Sequence, residues 1–216
     1  MATARCISMP PNADHLTLVQ WLSPAFPVGS YAYSQGLEQA ITDGHITDTK
    51  TLTHWITAIL THGSARMDAI LLAHARTTDD LSDLAYALAP SAERATEMRE
   101  QGAAFTSVLA ALGHPQPPLP FALALGHASR ALDLPTSDIL AHFLHALTAQ
   151  LISAAVRFVP LGAADGQRVL ATLTPLITRL APLYATEPLK NLSSATLGAD
   201  LAAMHHETLP VRIYRS

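Results

Sequence analysis

Cysteine, charge and aromatic rings are all scarce in this sequence of 216 residues. The one cysteine, Cys6, has no partner for a disulfide within the chain, which excludes a small secreted fold held by disulfides and favours a reducing compartment. Charged residues make up 14% of the chain, against about 25% in typical soluble domains, and 13 lysines and arginines face 17 acidic residues. A basic surface of the kind that binds nucleic acid is therefore not expected.

Long apolar runs are also missing. The longest run, residues 146–161, is interrupted by Gln150 and Arg157 and is shorter than the roughly 20 residues that a membrane-spanning helix needs. The N-terminal residues contain no apolar stretch of the length found in signal peptides. The sequence thus predicts no transmembrane helix, no membrane partner and a cytoplasmic location.

Helix-forming alanine is abundant, whereas aromatic residues reach only 6% of the chain, and this balance favours helices over strands. We expect an all-α fold, a single-domain multi-helix bundle with an extended C-terminal tail. Three regions follow from this reading: a flexible N-terminal segment (1–14), a helical domain (15–206) and a partner-binding tail (207–216).

Apolar residues recur at helical spacing in five segments of the chain. Ser91 is a plausible N-cap for the second of these helices, and Pro175 is expected to bend the fourth into two short rods. The predicted helices cover residues 48–76, 92–112, 137–159, 166–185 and 197–206.

The helix predicted over 137–159 is apolar on two faces. Such a helix is either central in a bundle or half-covered by another subunit. We expect a homodimer formed through its second face, which consists of Ala149, Ile152, Ser153 and Val156.

Catalytic templates are absent, since the sequence has no HExxH, GxSxG, P-loop or GxGxxG motif. His142 and His145 are spaced so that both could face one ion, but no acidic residue completes the ligand set. His205 and His206, next to Glu207, are further weak candidates for a surface metal contact. We therefore expect no enzyme and no cofactor. A helical metalloenzyme using His142 and His145 and a helical regulator that binds a small molecule stay open as alternatives.

The segment 23–40 is distinctive. Its prolines stiffen a loop, Gly29 can take a positive φ, and Ser30 can cap the helix that follows. We interpret this segment as a rigid partner-binding knob, the alternative being a stiffened helix start with buried tyrosines. The candidate contact residues of the knob are Tyr31, Tyr33, Ser34, Gln35 and Glu38.

The C-terminal segment is distinctive as well. It is rich in the residue types that dominate protein interfaces and is too short to fold alone, so it should dock onto something. Because it follows Pro210, we expect it to add little to the helical core. The alternative is an unstructured terminus. The candidate contact residues of the tail are Glu207, Arg212, Ile213, Tyr214, Arg215 and Ser216.

An acidic row, Glu93, Glu97 and Glu100, follows one side of the second predicted helix. Such a row is usually a solvated helix face. Because Glu93 and Glu97 repel each other at this spacing, the other interpretation is a binding site for a cationic partner.

The two distinctive segments resemble the urease accessory protein UreF family. That family has a run like SP-x-LPVG followed by S-x-GLE, and ends in HE-x-x-x-x-R-x-FRS. The chain departs from this pattern with Phe26 for leucine, Ser30 for glycine and Tyr214 for phenylalanine, and it matches further at residues 97–102 and in AAVRFVPLG. The matching residues in the two motifs are Ser23, Pro24, Pro27, Val28, Gly29, Ser34, Gly36, Leu37, Glu38, His206, Glu207, Arg212, Arg215 and Ser216.

The resemblance implies an all-helical, dimeric scaffold that is not an enzyme. It would bind the accessory protein UreD, also called UreH, and recruit the GTPase UreG. The assembly would act as a nickel-insertion chaperone for apo-urease, with UreG supplying the nickel. On this reading the tail, 207–216, contacts UreD, and the knob, 31–38, faces UreG.

Overall fold

The computed structural model describes residues 13–78 and 80–215. Within these ranges the secondary structure is helical and contains no β-strand, which confirms the all-α prediction. Of the predicted flexible segment 1–14, residues 1–12 lie outside the described residues, and the last two begin the first helix. The helices are α1 (Ala13–Trp21), α2 (Leu37–Thr42), α3 (Thr49–His62), α4 (Ser64–Ala75), α5 (Ser82–Ala87), α6 (Ala92–Ala111), α7 (Phe121–Ala128), α8 (Thr136–Val156), α9 (Ala163–Tyr184) and α10 (Leu197–His206).

Helix α8 is the centre of the bundle. It packs against α9 most extensively and also against α4, α2, α3 and α1. Part of its second apolar face is covered by α9 of the same chain, since the side chains of Ile152 and Val156 lie directly against the backbone of Gly166. Ala149 on the same face is half-buried and Ser153 is exposed. Helix α8 is therefore central, and α9 occupies part of the face that was predicted to form a homodimer.

By length and composition α8 could cross a membrane. However, 56% of its most apolar stretch is buried inside the molecule, as in the core helix of a soluble protein.

The helix predicted over 48–76 is two helices. The helical conformation is interrupted at Gly63, which lies between α3 and α4 and has an extended backbone (φ −112°, ψ −153°). A Cβ atom on this residue would lie 2.8 Å from Oγ1 of Thr196, so the break lets the segment before α10 approach closely. Apolar periodicity continues through the break because both helices bury residues in the same core, which is why the pattern gave one helix.

The fourth predicted helix is not divided into two short rods, because α9 continues through Pro175 as one helix. Pro175 and the residue whose carbonyl loses its partner, Ala171, both lie on the exposed side, where water can satisfy that carbonyl. The helices predicted from Ser91 and over 197–206 are confirmed as α6 and α10, and the Ser91 hydroxyl accepts a hydrogen bond from the backbone N–H of Arg94 at 3.1 Å.

The knob starts differently from the prediction. Ser30 begins only a short 3-10 turn that ends at Ala32, and α2 begins at Leu37. Between them Gln35 and Gly36 have positive φ values of 54° and 78°. A Cβ on Gly36 would lie 2.5 Å from the backbone nitrogen of Ala203, so glycine allows α10 to cross the start of α2 in close contact. This crossing brings the C-terminal segment to the knob.

Candidate functional site

Glu38, in the first turn of α2, is the point at which the knob and the tail meet. Its carboxylate accepts hydrogen bonds from the backbone N–H groups of Ile213 and Tyr214, each at 2.9 Å. Nε2 of His206 lies 3.1 Å from the same carboxylate, and only 4% of Glu38 is exposed. Glu38 and Ile213, which are 175 residues apart in the sequence, are thus joined through one buried side chain.

His206 connects this junction to α6. The imidazole is fully buried, with Nε2 facing Glu38 and Nδ1 2.7 Å from a carboxylate oxygen of Glu93. Both ring nitrogens thus face carboxylate oxygens of the same chain. His206 therefore has no nitrogen left for a metal ion.

The other histidine candidates are dispersed. His205 is exposed, and Nδ1 of His142 is 2.8 Å from the carbonyl oxygen of Asp138. His145 is exposed on α8. Among the residues that the structure describes, no group of three or more His, Cys, Asp or Glu side chains is arranged to hold a metal ion. The geometry thus gives no support to a metalloenzyme that uses His142 and His145.

The acidic row on α6 binds cations of the same chain. Arg212 forms an ion pair with Glu93, and Nη1 of Arg215 lies 2.7 Å from Glu100. The hydroxyl of Tyr33 donates to Glu100, and the Arg215 guanidinium lies over the Tyr33 ring at 5.7 Å from its centroid. The row is therefore neither a purely solvated helix face nor a vacant site for a cationic partner. Its two ends pair with arginines of the tail of the same chain.

The middle of the row is part of a buried polar network. Glu97 is 1% exposed, and its Oε2 atom lies 2.6 Å from Nη1 of Arg94, which also pairs with Asp68 on α4. The side-chain amides of Gln35 and Gln101 donate to Oε1 of Glu97 at 3.2 and 2.9 Å. Burial raises the pKa of Asp68 and outweighs the opposing effect of Arg94. The network fixes the knob to α6 and α4.

The tail is packed into the fold more firmly than the sequence suggested. Tyr214 is 4% exposed and its ring lies 5.5 Å from that of Phe158, centroid to centroid. The backbone N–H of Arg215 donates to the carbonyl of Ala32 at 2.7 Å, and a carboxylate oxygen of Glu207 accepts from the N–H of Ala92 at 2.8 Å. The expectation that this segment adds little to the core is therefore wrong.

Burial divides the predicted contact residues into two groups, and Ser216 lies outside the described residues. The buried group can act on a partner only by positioning its neighbours. It consists of Tyr33, Ser34, Gln35, Glu38 and Tyr214. The second group reaches the surface and consists of Tyr31, Glu207, Arg212, Ile213 and Arg215.

Sequence reasoning missed a set of exposed apolar side chains next to the tail. Leu197, Leu201 and Met204 lie four and three residues apart on α10 and are 71%, 41% and 45% exposed. This spacing places them on one helix face. In the tail, Val211 and Ile213 are also exposed, at 79% and 73%. We call these five residues the C-terminal apolar surface. The sequence did contain a signal for this surface, namely the helical spacing of Leu197, Leu201 and Met204. The face of α10 that enters the core carries other residues, Ala202, Ala203 and His206.

The fold and the site define a class of protein: it is all-helical, and its cluster of ionisable side chains joins the tail to the knob and to α6. Residues 46–174 match the family model for UreF. The chain is 55% identical over 209 residues to the urease accessory protein UreF of Cereibacter sphaeroides, covering 95% of this chain and 100% of that protein. It is 48% identical to the UreF of Dinoroseobacter shibae over 94% of this chain and 99% of the relative, and 44% identical to that of a Jannaschia species over 93% and 94%. The chain belongs to the UreF family of urease accessory proteins, which are not enzymes, and the resemblance seen in the sequence is confirmed.

Proposed function

We propose that this protein bridges UreD and UreG during maturation of the urease nickel centre. The observation that carries this proposal is the junction at Glu38, where the two segments predicted to contact different partners are fixed to each other. A scaffold that presents two surfaces in a set relative position spends less ordering entropy when it binds both partners. Nickel is cargo in this scheme, delivered by UreG and destined for apo-urease, and the chain works in the cytoplasm.

The C-terminal apolar surface is the proposed contact for UreD. Large apolar side chains that stay exposed on one face of a helix are typical of a protein-binding patch. Arg212 and Arg215 border this surface and keep 41% and 60% of their side chains exposed, so they can form a polar rim around an apolar centre.

The exposed part of the knob is the proposed contact for UreG. Tyr31 is 70% exposed on a loop whose backbone is held by Gln150, which donates to the carbonyl of Ser30 at 2.8 Å. A tyrosine in a fixed position supplies a large contact area at a small entropy cost. Tyr33 and Glu38, being buried, would affect UreG only through the position of this loop.

A homodimer remains part of the proposal, although Ile152 and Val156 of the predicted α8 face already lie against α9. Leu16 and Val19 on α1 are 58% and 50% exposed and could serve as an alternative apolar contact between subunits. Sedimentation equilibrium of the purified chain would measure its association directly.

The proposal is tested by co-purification of the tagged chain with UreD and UreG. The double variant Leu201→Asp/Met204→Asp should lose UreD, and Tyr31→Ala should keep UreD but lose UreG. Leu183→Asp, at a residue 56% exposed on α9, is the matched control and should keep both. If the α10 variant retains UreD at full yield, the C-terminal apolar surface is not its binding site.

A further inference from the structure

A cavity of about 500 Å³ is enclosed by the end of α1, the segment that follows it, and helices α6, α7 and α8. Its volume falls within the range of small-molecule sites. Most of the wall is apolar, so a ligand that fills the cavity must itself be largely apolar. The large apolar side chains of the wall include Trp21, Leu22, Met98, Phe121, Phe143 and Leu147.

The cavity is long and narrow. Helix α8 forms one side of it from His142 to Arg157, and at a rise of ~1.5 Å per residue these residues span about 22 Å. A volume of about 500 Å³ spread over this length leaves a mean cross-section of roughly 23 Å². The space is therefore a channel along α8, and its shape favours an extended chain over a compact molecule.

The charged groups of the lining differ in burial and in pairing. Among the described residues that line the cavity, Asp68 is the one carboxylate, and it forms an ion pair with Arg94 in which both side chains are 9% exposed. Arg94 also pairs with Glu97, behind the lining, so its positive charge is balanced. Arg157 lines the cavity too, but it is exposed, and its Nη1 donates to the Tyr214 hydroxyl at 3.4 Å. The lining thus carries one positive charge that no carboxylate of the lining balances, at a position open to water.

We propose that this cavity binds an unbranched aliphatic carboxylate. Its hydrocarbon chain would lie along α8 against the apolar walls, and its carboxylate would accept a forked pair of hydrogen bonds from Arg157. The head would stay in contact with water there, which avoids the cost of burying a charge. Tyr31 of the knob lines the same cavity, so the bound chain would lie beside the proposed UreG contact. The binding itself does not rest on that contact, because it is measured on the chain alone.

Three probes with one chain length and different heads test the proposal: decanoate, 1-decanol and decylammonium. Isothermal titration calorimetry on the full chain should give at least tenfold tighter binding of decanoate than of either other probe. Hexanoate should bind at least thirtyfold more weakly than decanoate, because each buried CH2 group adds to the affinity. Equal or tighter binding of 1-decanol, decylammonium or hexanoate would overturn the proposal, and so would no binding of decanoate.

Two variants, each with a matched control, locate the binding. Arg157→Gln, at an exposed residue, should weaken decanoate at least tenfold and leave 1-decanol unchanged, whereas Arg179→Gln, at an exposed arginine of α9, should leave both unchanged. Ala146→Phe places a ring in the channel and should abolish binding of both probes, whereas Ala171→Phe, on the exposed side of α9, should not. Circular dichroism checks that each variant is folded. Undiminished decanoate binding by folded Arg157→Gln or Ala146→Phe would refute the site.

Discussion

Replacing Glu38 by glutamine should loosen the tail while the bundle stays folded. The carboxylate accepts from Ile213 and Tyr214 at 2.9 Å and faces His206 at 3.1 Å. Glutamine keeps the shape, but its NH2 group turns a donor towards at least one buried donor. An unsatisfied buried group costs about 1–3 kcal/mol, and hydrogen bonds to a charged group contribute about 1.5–3 kcal/mol. We expect a loss of about 3 kcal/mol in the free energy of unfolding.

Thermal unfolding followed by circular dichroism measures this loss. For a chain of this size about 3 kcal/mol corresponds to a Tm lowered by roughly 6–12 °C. Hydrogen exchange should locate the change, with the amides of Ile213 and Tyr214 losing protection. Asp83→Asn, an exposed acid on α5, is the matched control and should melt with the wild type. A Tm for Glu38→Gln within about 1 °C of the wild type, with both amides still protected, would refute the role given to Glu38.

Three further changes test other parts of the fold. Tyr214→Ala removes a buried ring that packs on Phe158 and should cost about 3–5 kcal/mol in unfolding titrations, while Tyr214→Phe should cost less than about 1 kcal/mol because its hydroxyl contacts are 3.4 Å or longer. Gly36→Ala should lower the Tm strongly or give insoluble protein, since the residue has a φ of 78° and its new Cβ would lie 2.5 Å from Ala203; a normal melting curve would contradict the close contact. Burial raises the pKa of Tyr184 from 10.0 to about 12, so the folded protein favours the neutral phenol. The stability that this preference contributes is fully present below pH 10 and is lost as the pH rises to about 12. Urea titrations across this range should show a smaller loss in Tyr184→Phe, and an equal loss would exclude the effect.

Apolar periodicity predicted the long helices but missed α1, α5 and α7, and it missed the breaks between helices. It detects which residues face the core, and the breaks at Gly63 and Gly36 depend instead on close approach of α10 and the segment before it. Those approaches are tertiary contacts that a local pattern does not contain. The opposite error occurred at Pro175, where the rule that proline interrupts helices predicted two short rods, whereas exposure to solvent allows one helix to continue.

The sequence predicted two separate partner-binding surfaces, the knob and the tail. The structure brings residues of both together, where they bind each other and α6. The row on α6 and the cations of the tail were each visible in the sequence, and opposite charge could have paired them. Nothing local indicated that Glu38 and His206 are the buried link between the two, because glutamate is rarely fully buried and histidine has no strong preference for the interior. The apolar face of α10 could have been found from its spacing, had exposure been considered as well as burial.

Reconstitution of the complex tests the central claim most directly. UreD and UreG are mixed with and without the purified chain, and size-exclusion chromatography with light scattering measures the mass of each species. The account predicts a complex that contains all three proteins only when the chain is present, and loss of UreG alone from that complex with Tyr31→Ala. A stable complex of UreD with UreG that forms without the chain would contradict the proposed bridging role.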